Sequence, residues 1–295
     1  MSATGISTLS RDLLRERIDF RYENLNDLFQ QLDDTFDDSV TVGGVASAQF
    51  DQIYTAMENR GRKFRLSFYL ANAKVLIITV PRLPHENLHR TLDDKISGKA
   101  MMMRLDDELV ATGAATFRYK DNTGNLLSSL EGDSARKPIS LRPTEDHYPT
   151  LVIEAGFTQS WNSLRIKARA WFASSRHQVK IVLLVKLDRN QRRITFEMWK
   201  EFPPPLPPET RRVTRSASDL QPRCAHTIHI TRDAGVNDVH QDRFNPASYN
   251  VIGGPLQLGF ADIFLRQPVG QEADIIISNA ELISYAITVW KAVHH

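Results

Sequence analysis

Cysteine is almost missing from this chain of 295 residues: Cys224 is the single one. A lone thiol excludes an intramolecular disulfide framework and a cysteine-built zinc cluster, and it suits a reducing compartment. Long apolar runs are missing as well. The longest, Ile181 to Val185, falls far short of the roughly 20 residues that a membrane-spanning helix needs, so no membrane partner is expected. Charge of one sign is not in excess either. Lys and Arg number 37 against 35 Asp and Glu, a net of +2, which rules out an overall basic coat but leaves room for a local basic patch. Met1 to Ser10 carries neither a cationic start nor an apolar block. No secretory or transit signal is read there, and the expectation is an intracellular protein of cytoplasm or nucleus.

What is present is an ordinary globular balance, 41% hydrophobic and 24% charged residues, long enough to bury a core. Leu14, Ile18, Leu25, Leu28, Phe29 and Leu32 recur at helical spacing and predict one amphipathic helix over 10–38, with Ser10 as N-cap, and a second over 46–59. Between Asp12 and Glu58 stand eleven acidic side chains, against five arginines between Arg11 and Arg60. Such a run reads as a solvated face. Residues 64–70 and 74–80 read as a hairpin, and Leu88, Leu92 and Ile96 predict a helix over 85–104.

Strands are expected at 108–119, 127–131, 150–156, 179–187 and 193–200, with a helix over 161–174. The unalternating runs Leu151-Val152-Ile153 and Ile181 to Val185 suit central strands covered on both faces, and strand, helix, strand in that order is a βαβ crossover. The proline run from Pro203 to Pro208 runs extended. Further strands are read at 227–231, 257–265 and 274–278, with a last helix over 280–293. The fold class is therefore α/β, a mixed sheet flanked by helices. Its divisions are an acidic helical N-terminal extension (1–62), an α/β core (63–202), a Pro/Ser/Arg-rich linker (203–222) and a C-terminal extension packed on the core (223–295).

Two constellations carry chemistry. His85-Glu86-Asn87-Leu88-His89 fits HExxH, in which two histidines one helical turn apart hold zinc and the Glu acts as base. Pro84 directly before His85 argues against it. It sets His85 at a helix start, where pairing with His89 is not expected, and at least one ring should then meet solvent. The second constellation is the pair Asp133 and Glu154 around neighbouring strands, hard oxygen donors of the kind Mg²⁺ or Mn²⁺ takes. Between Trp161 and Arg193 lie nine basic side chains and a lone acid, Asp188; Arg165, Arg169 and Arg176 among them are candidate phosphate contacts on nucleic acid.

Pro84-His85-Glu86, Leu130-Glu131-Gly132-Asp133, the run Pro149 to Gly156, Leu164-Arg165 with Trp171-Phe172, and Val179 to Val182 together resemble the PD-(D/E)XK nuclease superfamily, in its bacterial restriction-endonuclease-like branch and related fungal proteins. The resemblance implies an αβββαβ core and Mg²⁺-dependent cleavage of phosphodiesters in nucleic acid. It makes Asp133 and Glu154 the paired acids and Glu86 a further metal ligand from the first helix. Where the family places a lysine, this chain has Gly156; the resemblance moves that role to Lys167 on the next helix. Gln159 stands where relatives often have an acid. A catalytically inactive nuclease fold kept for binding is the first alternative, and an HExxH zinc protease the second.

Overall fold

The computed structural model describes residues 3–61, 63–113, 115–204, 220–233 and 244–293. In chain order the first half runs α1 (Ala3–Leu13), β1 (Phe20–Arg21), α2 (Leu25–Asp34), β2 (Ser39–Gly43), α3 (Ser47–Asn59), β3 (Arg65–Leu70), β4 (Val75–Thr79), α4 (Leu83–Met102), β5 (Leu109–Ala111) and β6 (Phe117–Lys120). There follow β7 (Leu126–Leu130), β8 (Ser134–Pro138), β9 (Leu151–Gly156), α5 (Trp161–Ser174), β10 (Ile181–Asp188) and β11 (Arg193–Phe202). The last elements are β12 (Gln221–Arg232), β13 (Tyr249–Ile252), β14 (Leu256–Leu258), α6 (Phe260–Phe264), β15 (Ile275–Ile277) and α7 (Asn279–Lys291).

These strands form two large open sheets. One has six strands in the order β1-β2-β4-β3-β7-β6, the other seven in the order β13-β12-β11-β10-β9-β8-β5, and β14 with β15 makes a small third. In the seven-stranded sheet β9 and β10 are parallel, joined by α5, while β8–β9 and β10–β11 are antiparallel. The chain is thus α/β with mixed sheets flanked by helices. Three apolar layers hold it. Leu88, Leu92 and Ile96 of α4 meet Leu151, Ile153 and Ala155 of β9 and Tyr285 of α7 on one face of the large sheet. Val152, Val182 and Leu184 meet α5 and, across it, Phe68, Leu70 and Ile77 of the six-stranded sheet. Leu28 and Phe29 of α2 and Phe50 and Ile53 of α3 cover that second sheet's far face. Each turn of α4 therefore buries one stripe, as its spacing predicts.

Several expectations are corrected. The helix read over 10–38 is broken: α1 stops at Leu13, Leu14 is 62% exposed, and β1 pairs with β2 before α2 begins. Within the expected N-terminal extension, β2 pairs with β4 of the expected core. The strand read over 108–119 is two strands in different sheets, with Gly113 at φ 61° between them. The 257–265 strand is β14 followed by the short helix α6. The C-terminal segment continues the large sheet, since β12 pairs along β11 from Phe202↔Gln221 to Arg193↔Thr231. Most of the expected extended proline run, from residue 205, lies outside the described residues. Among the described residues no helix is long and apolar enough to cross a membrane.

Candidate functional site

β9 is a central strand with all six residues buried, and one of them is Glu154. A carboxylate there needs a reason, because an unpaired charge so deep costs several kcal/mol. Its partners come from α5, which starts at the Ser160 N-cap and turns Lys167 and Trp171 toward the sheet. Trp171 Nε1 donates to Glu154 Oε1 at 2.6 Å, and Lys167 Nζ lies 2.5 Å from Oε2. Both charged side chains are fully buried. The β8–β9 register pairs Ser134 with Ile153, so its continuation by one residue sets Asp133 opposite Glu154, and opposite residues of an antiparallel pair share a face. Asp133 Oδ2 accepts from the Ala155 amide at 2.8 Å.

The helix start at the same end of the sheet brings the histidines. Pro84 sits in the first turn of α4, where its missing N–H costs nothing, so His85 is already helical. The expectation that Pro84 would keep His85 from pairing with His89 is overturned: the rings lie 5.5 Å apart, and each residue is only 1% exposed, so neither meets solvent. His85 Nε2 lies 3.2 Å from Asp133 Oδ1 and its Nδ1 2.9 Å from Asp38 Oδ2. His89 Nε2 lies 3.2 Å from Glu86 Oε1, and its Nδ1 2.9 Å from Ser134 Oγ. Arg65 stands between the two groups, its guanidinium 3.3 Å from Asp133 and 3.0 Å from Glu86. Arg65 thereby bridges Glu86 and Asp133.

Asp38 is the keystone that the sequence concealed. It lies within the acidic run, directly ahead of β2, yet it is 1% exposed. Its carboxylate accepts from the amides of Phe157, Thr158 and Gln159 at 2.7, 2.8 and 3.2 Å, tying the β9–α5 loop to the six-stranded sheet. Arg65 also escaped notice, since one arginine on a strand carries no pattern.

The charges tune one another. Burial alone would lower the His85 imidazolium, but Asp133 and Asp38 lift it to about 10. Burial would raise Asp133, but His85 and Lys167 hold it well below the usual carboxylate range. Burial pushes Glu154 up to about 7, with Asp133 adding to the rise and Lys167 opposing it. Burial would lower Lys167, but Glu154 and Asp133 raise it, so its ammonium stays charged.

Two of the three expected phosphate contacts, Arg165 and Arg169, are paired within the chain. Arg165 forks onto Glu197, at 3.1 Å from Nε and 2.5 Å from the Nη2 end, and Arg169 pairs with Asp12 at 3.0 Å. Arg176 stacks over Tyr119 at 5.5 Å. The basic run is spent in good part on holding the fold, and it forms no demonstrated nucleic-acid surface. Compared with known protein families and with curated proteins, the chain matches none.

Proposed function

We propose that this protein is a Mg²⁺- or Mn²⁺-dependent phosphodiester hydrolase acting on nucleic acid, of the PD-(D/E)XK kind that its sequence resembles. The observation that carries the reading is the convergence of Asp133, Glu154 and Lys167 around a parallel βαβ crossover. Asp133 and Glu154 fit a hard dication by donor type, and Lys167 Nζ now holds Glu154 Oε2 at 2.5 Å, where the ion would take its place. They would hold the ion, which supplies Lewis-acid activation of water and phosphate there. Ala155 N and Trp171 Nε1 orient the two carboxylates. Lys167 stays cationic, and so it would neutralise charge developing on the scissile phosphate instead of serving as a base.

A second reading rests on one observation, the complete burial of Glu154 and Lys167. In it the ammonium replaces the cation and the fold binds a partner without cleaving. The test is cleavage of end-labelled single- and double-stranded DNA and RNA by the full chain, with Mg²⁺ or Mn²⁺ and with EDTA. The hydrolase reading expects metal-dependent cleavage that falls about a hundredfold in Lys167→Met, the size of effect seen when one transition-state donor is removed. If the wild-type chain cleaves none of these substrates, the inactive fold is the correct reading.

A further inference from the structure

The HExxH segment remains unused by that reading, and its geometry is that of a ligand set. One ligand atom each from His85, Glu86 and His89 lies within 4.8 Å of the others. His85 Nε2, His89 Nε2 and Glu86 Oε1 are all buried, and all three lack a hydrogen-bond partner. Their close approaches to Asp133, Arg65 and one another are at ion-pair distance but off the line that a hydrogen bond requires. A folded protein seldom buries three adjacent polar atoms in this state without a use for them. The outer nitrogens, by contrast, are fully engaged: Asp38 holds Nδ1 of His85 and Ser134 holds Nδ1 of His89, each at 2.9 Å. Carboxylate or hydroxyl on one ring nitrogen, with the other turned inward, is how metal-binding imidazoles are oriented, and a dication would displace the proton that His85 carries there.

We infer that His85, His89 and Glu86 form a centre for a first-row transition dication of the zinc class, separate from the Asp133–Glu154 pair. Imidazole nitrogens select such an ion over Mg²⁺. Tetrahedral bonds of about 2.1 Å set donors about 3.4 Å apart, and a ligand atom from each of the three residues already lies within 4.8 Å of the others. Arg65 keeps Glu86 Oε2 as its acceptor, at 3.2 Å, when Oε1 turns to the ion. With Glu86 a ligand, the centre lacks the free glutamate base of an HExxH protease, and no proteolysis follows from it. The inference uses different atoms from the phosphodiester reading, and its test needs no nucleic acid, so either can fail alone.

The experiment is titration of the chelator-stripped full chain with Zn²⁺ by calorimetry and with Co²⁺ by visible absorption. Expected are one equivalent of Zn²⁺ and the intense d–d bands of low-coordinate Co²⁺. His89→Ala should weaken binding by about a hundredfold or more, and Ser134→Ala, which frees only the outer nitrogen, by about 10–100-fold. Should His89→Ala not fold by circular dichroism, Ser134→Ala decides. Absence of one-to-one binding, or binding in Ser134→Ala equal to wild type, overturns the centre.

Discussion

Replacing Asp38 by Asn keeps the side chain's shape and removes its charge. The carboxylate accepts from three backbone amides, from Thr158 Oγ1 at 2.6 Å and from His85 Nδ1 at 2.9 Å. Hydrogen bonds to a charged group are worth about 1.5–3 kcal/mol each, but the five are not additive, since the loop can relax and Asn still offers one oxygen. Breaking a buried pair by neutralising one partner costs about 3–5 kcal/mol, and that range is expected here. Urea unfolding followed by circular dichroism and Trp fluorescence measures it, and the midpoint on heating should drop by roughly 2–4 °C per kcal/mol. The sign of the pH dependence is set as well. Asp38 is held below its ordinary value of 3.8 by His85 and Thr158, against burial, which would raise it. That stabilisation is lost as pH falls below about 4, so the gap between wild type and Asp38→Asn should narrow in acid. A loss under about 1 kcal/mol at neutral pH, below any figure for a buried pair, would refute the reasoning.

Trp171→Phe should leave Glu154 Oε1 buried without its donor and cost about 1–3 kcal/mol in the same unfolding assay. Gly156→Lys in a Lys167→Met background should fail to restore cleavage in the labelled-substrate assay. A Cβ at 156 would lie 2.8 Å from Leu164 Cδ1, so a side chain at the family's usual lysine position requires Leu164 to shift. Substituting Arg165, Arg169 and Arg176 by Ala, singly, should lower stability without changing the salt slope of nucleic-acid binding by a full unit, because each already has a partner inside the chain. A drop of about one unit per arginine in a fluorescence-anisotropy salt series would return them to the phosphate backbone.

The most legible parts of the chain were those whose burial shows in composition. β9, β10 and α5 announce themselves because strands covered on both faces read as continuous aliphatic runs, and α5 carries its stripe at helical spacing. β8 was illegible for the opposite reason. Ser-Ala-Arg-Lys-Pro reads as a polar turn, yet Arg136 is buried by a two-pronged pair with Asp93 at 2.6 and 2.8 Å, and Lys137 donates to the Thr144 carbonyl. Of the site, Asp133 and Glu154 could be singled out by type and placement, and Lys167 through the family resemblance. Asp38 and Arg65 could not, because their importance comes from two sheets meeting, which no local window contains. His85 and His89 were visible as a motif but misjudged, since a proline in a first helical turn interrupts nothing.

The polar cluster draws its members from Asp38, Arg65, His85, Asp133, Glu154 and Lys167, positions spread across the first two-thirds of the chain. Both sheets and two helices must be docked before those groups can find one another. Contacts so distant in sequence repay their loop-closure entropy only late in folding. The hydrophobic layers can assemble first, and until the charges meet, each remains solvated. The cluster therefore acts as a latch on the finished molecule. Interactions absent from the transition state slow unfolding and leave folding speed nearly unchanged, so what these side chains chiefly determine is how long the native state lasts.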